Sequence, residues 1–224
     1  MRVRLLVLAL VAAVVGVAAP AHADAATVTL NADRKVSVAG TSVRFWGSTS
    51  NTGNGTLKIR IEPAGAAATT FAMQEPAEGP YQLTLALTVN TRVTAVVEGG
   101  TTDPASDTVF VWVRPRIATT LHTGYARSGA YLVMKRGASP LFRTLTYPKR
   151  PGQMCLRHQL QRYRDGAWRA RLTSACIIED STGRVSWRWA GSHPSGVRFR
   201  VRALFAGDSR NLAGNGAWLY FRFK

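Results

Sequence analysis

Short segments in which apolar and polar residues alternate recur along most of the chain. In the first half they occupy residues 36–38, 43–46, 57–61, 81–87, 92–97 and 109–113. A period of two, rich in valine, threonine and aromatic residues, is typical of β-strands with one buried face. Glycine- and asparagine-rich segments at 51–55, 79–80 and 99–100 predict turns between them. Since no segment after residue 23 shows the 3.6-residue period of a helix, we predict an all-β fold.

The second half repeats the plan of the first half. When residues 92–114 are aligned with residues 200–222 without gaps, six positions are identical and the apolar alternation coincides. The identical pairs are Arg92/Arg200, Val93/Val201, Ala95/Ala203, Gly99/Gly207, Ala105/Ala213 and Arg114/Arg222. We therefore predict two tandem immunoglobulin-like β-sandwich domains, residues 24–115 and 116–224, each of roughly a hundred residues. A single large barrel would also accommodate the number of strands.

The first 23 residues have the layout of a secretory signal peptide. Two arginines precede an uninterrupted apolar run over residues 5–19, and Ala21 and Ala23 provide small residues before a cleavage point at Asp24. The apolar run is shorter than the roughly 20 residues that span a bilayer, which argues against a membrane anchor. We expect a secreted chain, either free outside the cell or held non-covalently at the cell wall.

A longer pattern in the second half resembles a known family. Trp168, the turn at residues 182–185 and the stretch 199–208, which ends in Ala-Gly-Asp, are similar to the bacterial Ig-like repeat domains of secreted and cell-surface proteins. The first half resembles them less, since residues 98–100 replace Ala-Gly-Asp. The resemblance implies an extracellular adhesive, spacer or carbohydrate-presenting module without catalytic residues.

The two cysteines can be placed by counting outward from a hairpin turn. Asp165-Gly166 favours a two-residue type I′ turn, which needs positive φ at both positions. With equal counts on each side, Cys155 faces Cys176 at a non-hydrogen-bonded pair, where Cα atoms lie about 4.5 Å apart. A secreted protein folds where disulfides form. We therefore predict a Cys155–Cys176 disulfide, provided that the hairpin contains no bulge.

Few residues are suited to catalysis or metal binding. His122, His158 and His193 lie in three separate segments, and no common catalytic or nucleotide-binding motif occurs. Cys155 and His158 are three residues apart on a predicted strand, so they point to opposite faces and cannot form a nucleophile–base pair. Asp208 fits a turn residue better than a calcium ligand. We expect no enzymatic activity, no metal and no cofactor.

Positive charge is concentrated in the second half of the chain. Residues 24–115 contain seven basic and eight acidic residues, whereas residues 116–224 contain twenty basic and four acidic ones. Arg198, Arg200 and Arg202 alternate with apolar residues, so all three should lie on the solvent face of one strand, with Arg222 beside them on the last strand. Arginine matches phosphate and carboxylate groups bidentately. These four arginines are our candidate polyanion-binding residues.

The partner suggested by this charge is an anionic polymer of the cell envelope. Phosphate-rich wall polymers, acidic polysaccharides and phospholipid headgroups all fit. One alternative is that arginine is only the generic surface residue of this chain. Another is an accessory module that binds a second extracellular protein. Nucleic acid would also satisfy the charge, but secretion makes it an unsuitable physiological partner.

The aromatic residues near the C-terminus leave two interpretations open. Trp218 and Tyr220 alternate with Leu219 and Phe221, which we predict to face the core. Trp218 and Tyr220 would then lie outside, where they could form a platform for sugar stacking. Core packing is the alternative.

Overall fold

The computed structural model describes residues 25–73, 78–99, 104–190 and 193–224. Within these ranges the chain forms twenty β-strands and no helix, so the all-β prediction is confirmed. The predicted signal peptide, residues 1–23, lies outside the described residues. Nowhere in those four ranges is there a helix that could cross a membrane.

The first half forms two sheets around one core. Its strands are β1 (Thr27–Val28), β2 (Asn31–Ala32), β3 (Val36–Val38), β4 (Thr41–Ser50), β5 (Thr56–Pro63), β6 (Thr69–Ala72), β7 (Gly79–Leu87), β8 (Thr91–Glu98) and β9 (Ala105–Arg114). One sheet has the order β1-β4-β2 with β7 also on β4, and the other has the order β3-β9-β8-β5-β6. Gly79-Pro80, predicted as a turn, instead begins β7, since proline is tolerated at the start of a strand.

The second half also forms two sheets. Its strands are β10 (Arg116–Leu121), β11 (Ala126–Ser128), β12 (Tyr131–Met134), β13 (Leu141–Tyr147), β14 (Cys155–Arg164), β15 (Ala167–Thr173), β16 (Ile177–Ile178), β17 (Arg184–Arg188), β18 (Arg198–Phe205), β19 (Gly214–Asn215) and β20 (Leu219–Phe223). The smaller sheet has the order β10-β13-β17. The larger has the order β11-β12-β20-β18-β14-β15, with β16 on β14 and β19 on β18.

The two halves share a pattern of strand pairing. In each half, a short early strand pairs in parallel with the last strand: β3 with β9, and β12 with β20. The last strand also pairs antiparallel with the long strand before it. The register differs between the halves by two residues. Arg92 faces Phe110, whose equivalent in the second half is Trp218, but Arg200 faces Tyr220. A shift of two residues keeps every side chain on its original face.

The hairpin of β14 and β15 begins as predicted but does not keep its register. Asp165 and Gly166 have φ angles of 51° and 75°, as a type I′ turn requires. A bulge beside Leu160 and Gln161 shifts the pairing by one residue, and a second residue is gained between β15 and β16, so Cys155 lies opposite Ile178. The prediction that the cysteines face each other directly is therefore wrong, because a bulge adds a residue to one strand only.

The Cys155–Cys176 disulfide itself is confirmed. The two Cα atoms are 5.5 Å apart, which is within the range that a disulfide bridges. Even after the shift in register, β14 and the segment between β15 and β16 remain adjacent, because β16 pairs with β14. The bond therefore fastens this segment to the larger sheet.

Removing the disulfide should destabilise the protein without disturbing its core. The bond joins residues 21 positions apart, so Cys155→Ala with Cys176→Ala should lower the free energy of unfolding by about 3 kcal/mol through the released loop entropy. Urea denaturation of the parent and the double variant measures this difference. An unreduced digest of the parent should contain the two linked peptides. An unchanged urea midpoint would contradict the expectation.

Two buried asparagines connect the halves. The side-chain amide of Asn211 donates to the carbonyl oxygens of Thr88 at 3.0 Å and Val113 at 3.1 Å. Within the first half, the Asn90 side chain accepts a hydrogen bond from the Val113 amide at 2.8 Å, and the backbone N–H of Asn90 donates across to the Arg210 carbonyl at 2.7 Å. Because both asparagines are almost fully buried, these bonds fix the second half against the first.

Asp208 organises the loop that carries Asn211. One of its carboxylate oxygens accepts hydrogen bonds from the amides of Arg210 and Asn211, each at 2.8 Å, as expected of a turn residue. Its other oxygen pairs with Arg150 at 2.7 Å. The Ala-Gly-Asp stretch thus shapes the contact between the halves.

Candidate anion-binding face

The strand β18 separates a buried face from a basic one. Phe199 and Val201 are buried in the core, whereas Arg198, Arg200 and Arg202 lie on the outer face of the larger sheet. Arg198 is exposed, but Arg200 and Arg202 are half-buried. The alternation in the sequence predicts these faces correctly. It does not predict that the arginines are packed against other side chains.

Two tryptophans pack against Arg200 and Arg202. The guanidinium carbon of Arg200 lies 4.6 Å from the ring centre of Trp168 and 4.2 Å from that of Trp218. Trp218 also contacts Arg202, at 4.4 Å. These distances are well within the range of cation–π attraction, which contributes about 0.5–1 kcal/mol at exposed sites and more where water is excluded. Arg200 is therefore held between two indole rings.

The same series of contacts reaches the third arginine. Arg198 lies 3.8 Å from the ring centre of Tyr163, and Tyr163 meets Trp168 edge-on at 5.2 Å. Each member thus contacts the next across three neighbouring strands, β15, β14 and β18, and the residue directly before β20. We call this series the arginine–aromatic ladder; in order of contact it comprises Arg198, Tyr163, Trp168, Arg200, Trp218 and Arg202.

Two glutamines on β14 hold Arg200 and Arg202. Arg200 donates from Nε to Oε1 of Gln161 at 2.8 Å, and Arg202 donates from Nε to Oε1 of Gln159 at 2.9 Å. Each glutamine lies directly opposite its arginine in the β14–β18 register. Because the amide oxygen is neutral, these bonds fix the guanidinium groups without neutralising their charge.

Arg222 lies on the same face but outside the ladder. It is directly opposite Arg198 in the β18–β20 pairing and donates from Nη2 to the Ser128 hydroxyl at 3.0 Å. Like charges at facing positions of a sheet repel each other. All four predicted arginines are thus brought together on one surface.

The four carboxylates of the second half are bound elsewhere. Asp165 pairs with Arg164, Asp208 pairs with Arg150, Glu179 accepts hydrogen bonds from Thr146 and the Arg150 amide, and Asp180 accepts them from Thr182 and Arg184. The hydroxyl and amide bonds to Asp180 lower its pKa. Within the described part of the chain, no carboxylate pairs with the ladder or with Arg222, so their positive charge is uncompensated.

The predicted sugar-stacking platform is already occupied. Trp218 is contacted by two guanidinium groups, and Tyr220 meets Trp168 and Tyr131 edge-on at 5.6 and 6.0 Å. These contacts favour recognition of charge over stacking of a neutral sugar. Tyr163, Trp168 and both glutamines were not predicted as site residues. Residues 159, 161 and 163 do alternate along one strand, but the position of that strand beside β18 was not predicted.

Cys155 and His158, which the sequence places on opposite faces of one strand, are each engaged in other contacts. Cys155 is in the disulfide. His158 lies on the buried face of β14, where its Nε2 atom is 2.9 Å from the Thr144 hydroxyl and its ring stacks on Trp187. Burial lowers the pKa of His158 to about 4. His158 is thus a neutral core residue at pH 7.

The comparisons with known proteins do not identify a family. No protein-family model matches the chain, and no curated protein does. Among solved structures, a Salmonella alpha-2-macroglobulin reacted with methylamine shares 14% identity and has a TM-score of 0.33, over 88% of this chain and 15% of that one. The Yersinia pseudotuberculosis adhesin InvE shares 16% identity and has a TM-score of 0.37, over 87% of this chain and 58% of that one. The chain therefore spans less than two thirds of either neighbour.

Proposed function

We propose that the protein is a secreted, non-catalytic molecule of two Ig-like domains, residues 24–115 and 116–224. Its basic second domain binds an anionic polymer outside the cell, free or at the cell wall. The separate cores and sheets of the two halves support the division into domains. The disulfide supports an oxidising compartment.

The arginine–aromatic ladder is the observation that carries the binding function. Three guanidinium groups are held by rings, two of them also by neutral amides, and no carboxylate among the described residues balances them. Holding like charges close together is unfavourable in the free protein. A ligand with several anionic groups relieves that repulsion and meets side chains that are already ordered, which lowers the entropic cost of binding.

An exposed apolar patch favours a second function, binding to another extracellular protein. Val36, Val38 and Trp112 on β3 and β9 are 45%, 44% and 43% exposed, and Phe110 packs against Trp112. Val36 faces Trp112 in the parallel pairing, so the patch is continuous. Binding through this patch would be insensitive to salt, whereas binding through the ladder would weaken as the Debye length falls from about 10 Å at 0.1 M to about 3 Å at 1 M.

Removing the ladder's charge should weaken binding to a polyanion. We expect Arg198→Gln, Arg200→Gln and Arg202→Gln together to lower affinity for heparin at least about tenfold, because each lost charge-assisted contact contributes more than 1 kcal/mol. Glutamine is preferred to serine because the arginine stems pack against rings, so serine would also remove packing. Salt elution from immobilised heparin measures the effect.

A charge-matched variant controls for net charge alone. Arg116, Arg169 and Arg188 are exposed and lie outside the ladder. Replacing all three with glutamine removes the same charge and should change elution only slightly. If both triple variants elute at the same salt concentration, the ladder is ordinary surface and the proposed function is wrong. Circular dichroism of both variants verifies the fold.

A further inference from the structure

The ladder's order of side chains indicates the class of polymer that it binds. We infer that it binds a carboxylated polysaccharide, in which sugar rings separate the anionic groups. Gln161 and Gln159 position Arg200 and Arg202, which bind adjacent carboxylates of that polymer. This inference rests on the proposed function and adds to it a ligand class and two positioning residues.

Charged groups and aromatic rings alternate along the ladder. Arg198, Arg200 and Arg202 are at every second position of β18, so their Cα atoms are spaced roughly 6.6–6.8 Å apart. An indole ring lies between Arg200 and Arg202, and Tyr163 and Trp168 connect Arg198 to Arg200. In a uronic acid polymer a sugar ring likewise separates each carboxylate from the next, so its charges, like the guanidinium groups, are set apart by rings. A polyphosphate carries charge on every unit, with no ring between one charge and the next.

One edge of the Arg200 guanidinium group is free of hydrogen bonds to the described residues. The indole rings of Trp168 and Trp218 contact the guanidinium group of Arg200, and its Nε atom donates a hydrogen bond to Gln161. No hydrogen bond from its two Nη atoms is formed to any described residue, so this edge remains for a ligand. Two parallel N–H groups on one edge match the two oxygens of a carboxylate.

Gln159 and Gln161 are positioning residues, and because their side chains are neutral they leave the charge of the arginines available to an anionic ligand. A carboxylate at residue 161 would accept the Arg200 hydrogen bond and also compete with the ligand for the same charge. We therefore expect Gln161→Glu to lower affinity for polygalacturonate roughly tenfold or more while leaving the fold intact. Ser186→Glu, at an exposed position of β17 in the other sheet, makes the same change in net charge and should have little effect.

The experiment compares two polymers and three proteins. Full-length secreted protein, Gln161→Glu and Ser186→Glu are titrated with polygalacturonate and with polyphosphate at equal ionic strength and equal concentration of anionic groups. We expect the parent to bind polygalacturonate more tightly and Gln161→Glu to lose that preference. Thermal denaturation of each variant verifies that it is folded.

Other outcomes separate this inference from the proposed function. Equal affinity of the parent for both polymers, or tighter binding of polyphosphate, would overturn the polysaccharide inference while leaving polyanion binding in place. Equal effects of Gln161→Glu and Ser186→Glu would overturn the positioning role of Gln161. If the parent binds neither polymer, both the inference and the proposed function are wrong.

Discussion

Phe199→Ala should destabilise the second half by about 3–5 kcal/mol, the usual cost of deleting a buried phenyl ring. Phe199 is 2% exposed, and its ring contacts those of Trp189, Phe221 and Phe223 at 5.1, 5.5 and 6.0 Å. The cavity would open in the centre of this aromatic cluster. Because a domain is stabilised by only about 5–15 kcal/mol, the loss should bring the second half close to unfolding at room temperature.

Denaturation followed by fluorescence and circular dichroism measures this effect and also tests the division into two domains. The core of the first half contains none of these residues, so Phe199→Ala should separate the unfolding curve into an early and a late transition. Phe71→Ala is the matched control, since Phe71 is 37% exposed on β6 and should cost less than about 1 kcal/mol. A single transition that shifts as a whole would show that the halves unfold as one unit.

The buried and exposed faces of β18 could be predicted because they depend only on the alternation of residues. Phe199 and Val201 have the same parity along the strand, and the arginines have the other. The register of the β14–β15 hairpin could not be predicted in the same way. The bulge leaves Arg171 of β15 without a partner on β14 and moves every later pair, and no local pattern marks its position. The sequence therefore predicts which face of a strand a residue occupies more reliably than it predicts which residue lies opposite on the neighbouring strand.

The ladder shows the same limit at the level of the site. Its arginines come from one strand, but Trp168 comes from β15, and Trp218 directly precedes β20. Whether these rings reach the arginines depends on the strand order β20-β18-β14-β15, which is a property of the whole sheet. The sequence therefore predicts that the positive charge lies on one face, but it does not predict the aromatic rings that separate the arginines.

The contact between the halves was missed for a related reason. Asp208 was predicted as a turn residue, and it has that role. The asparagine three residues later reaches the first half, where it satisfies two backbone carbonyls. Such a contact depends on how two separately folded units meet, and the sequence of neither unit contains that information.

Acidification should destabilise the second half through His158, by about 3 kcal/mol between pH 6.5 and pH 4. Its pKa is about 4 in the folded protein and about 6.5 in an unfolded chain. In this interval the unfolded chain binds a proton that the folded protein does not, so stability falls as the pH falls, by about 1.4 kcal/mol per pH unit. Above pH 6.5 the imidazole is neutral in both states and the full stability is present.

His158→Gln isolates this contribution, because glutamine does not titrate and can still meet the Thr144 hydroxyl that lies 2.9 Å from Nε2. Thr144 also keeps its bond to Thr119, so the substitution leaves no hydroxyl unpaired. Urea midpoints at pH 7, 6, 5 and 4 should fall steeply for the parent and less steeply for the variant. Equal slopes would mean that His158 takes up its proton in the folded protein at the same pH as in the unfolded chain. In that case its stacking on Trp187 would include a cation–π attraction, and acid would then destabilise the protein through other groups.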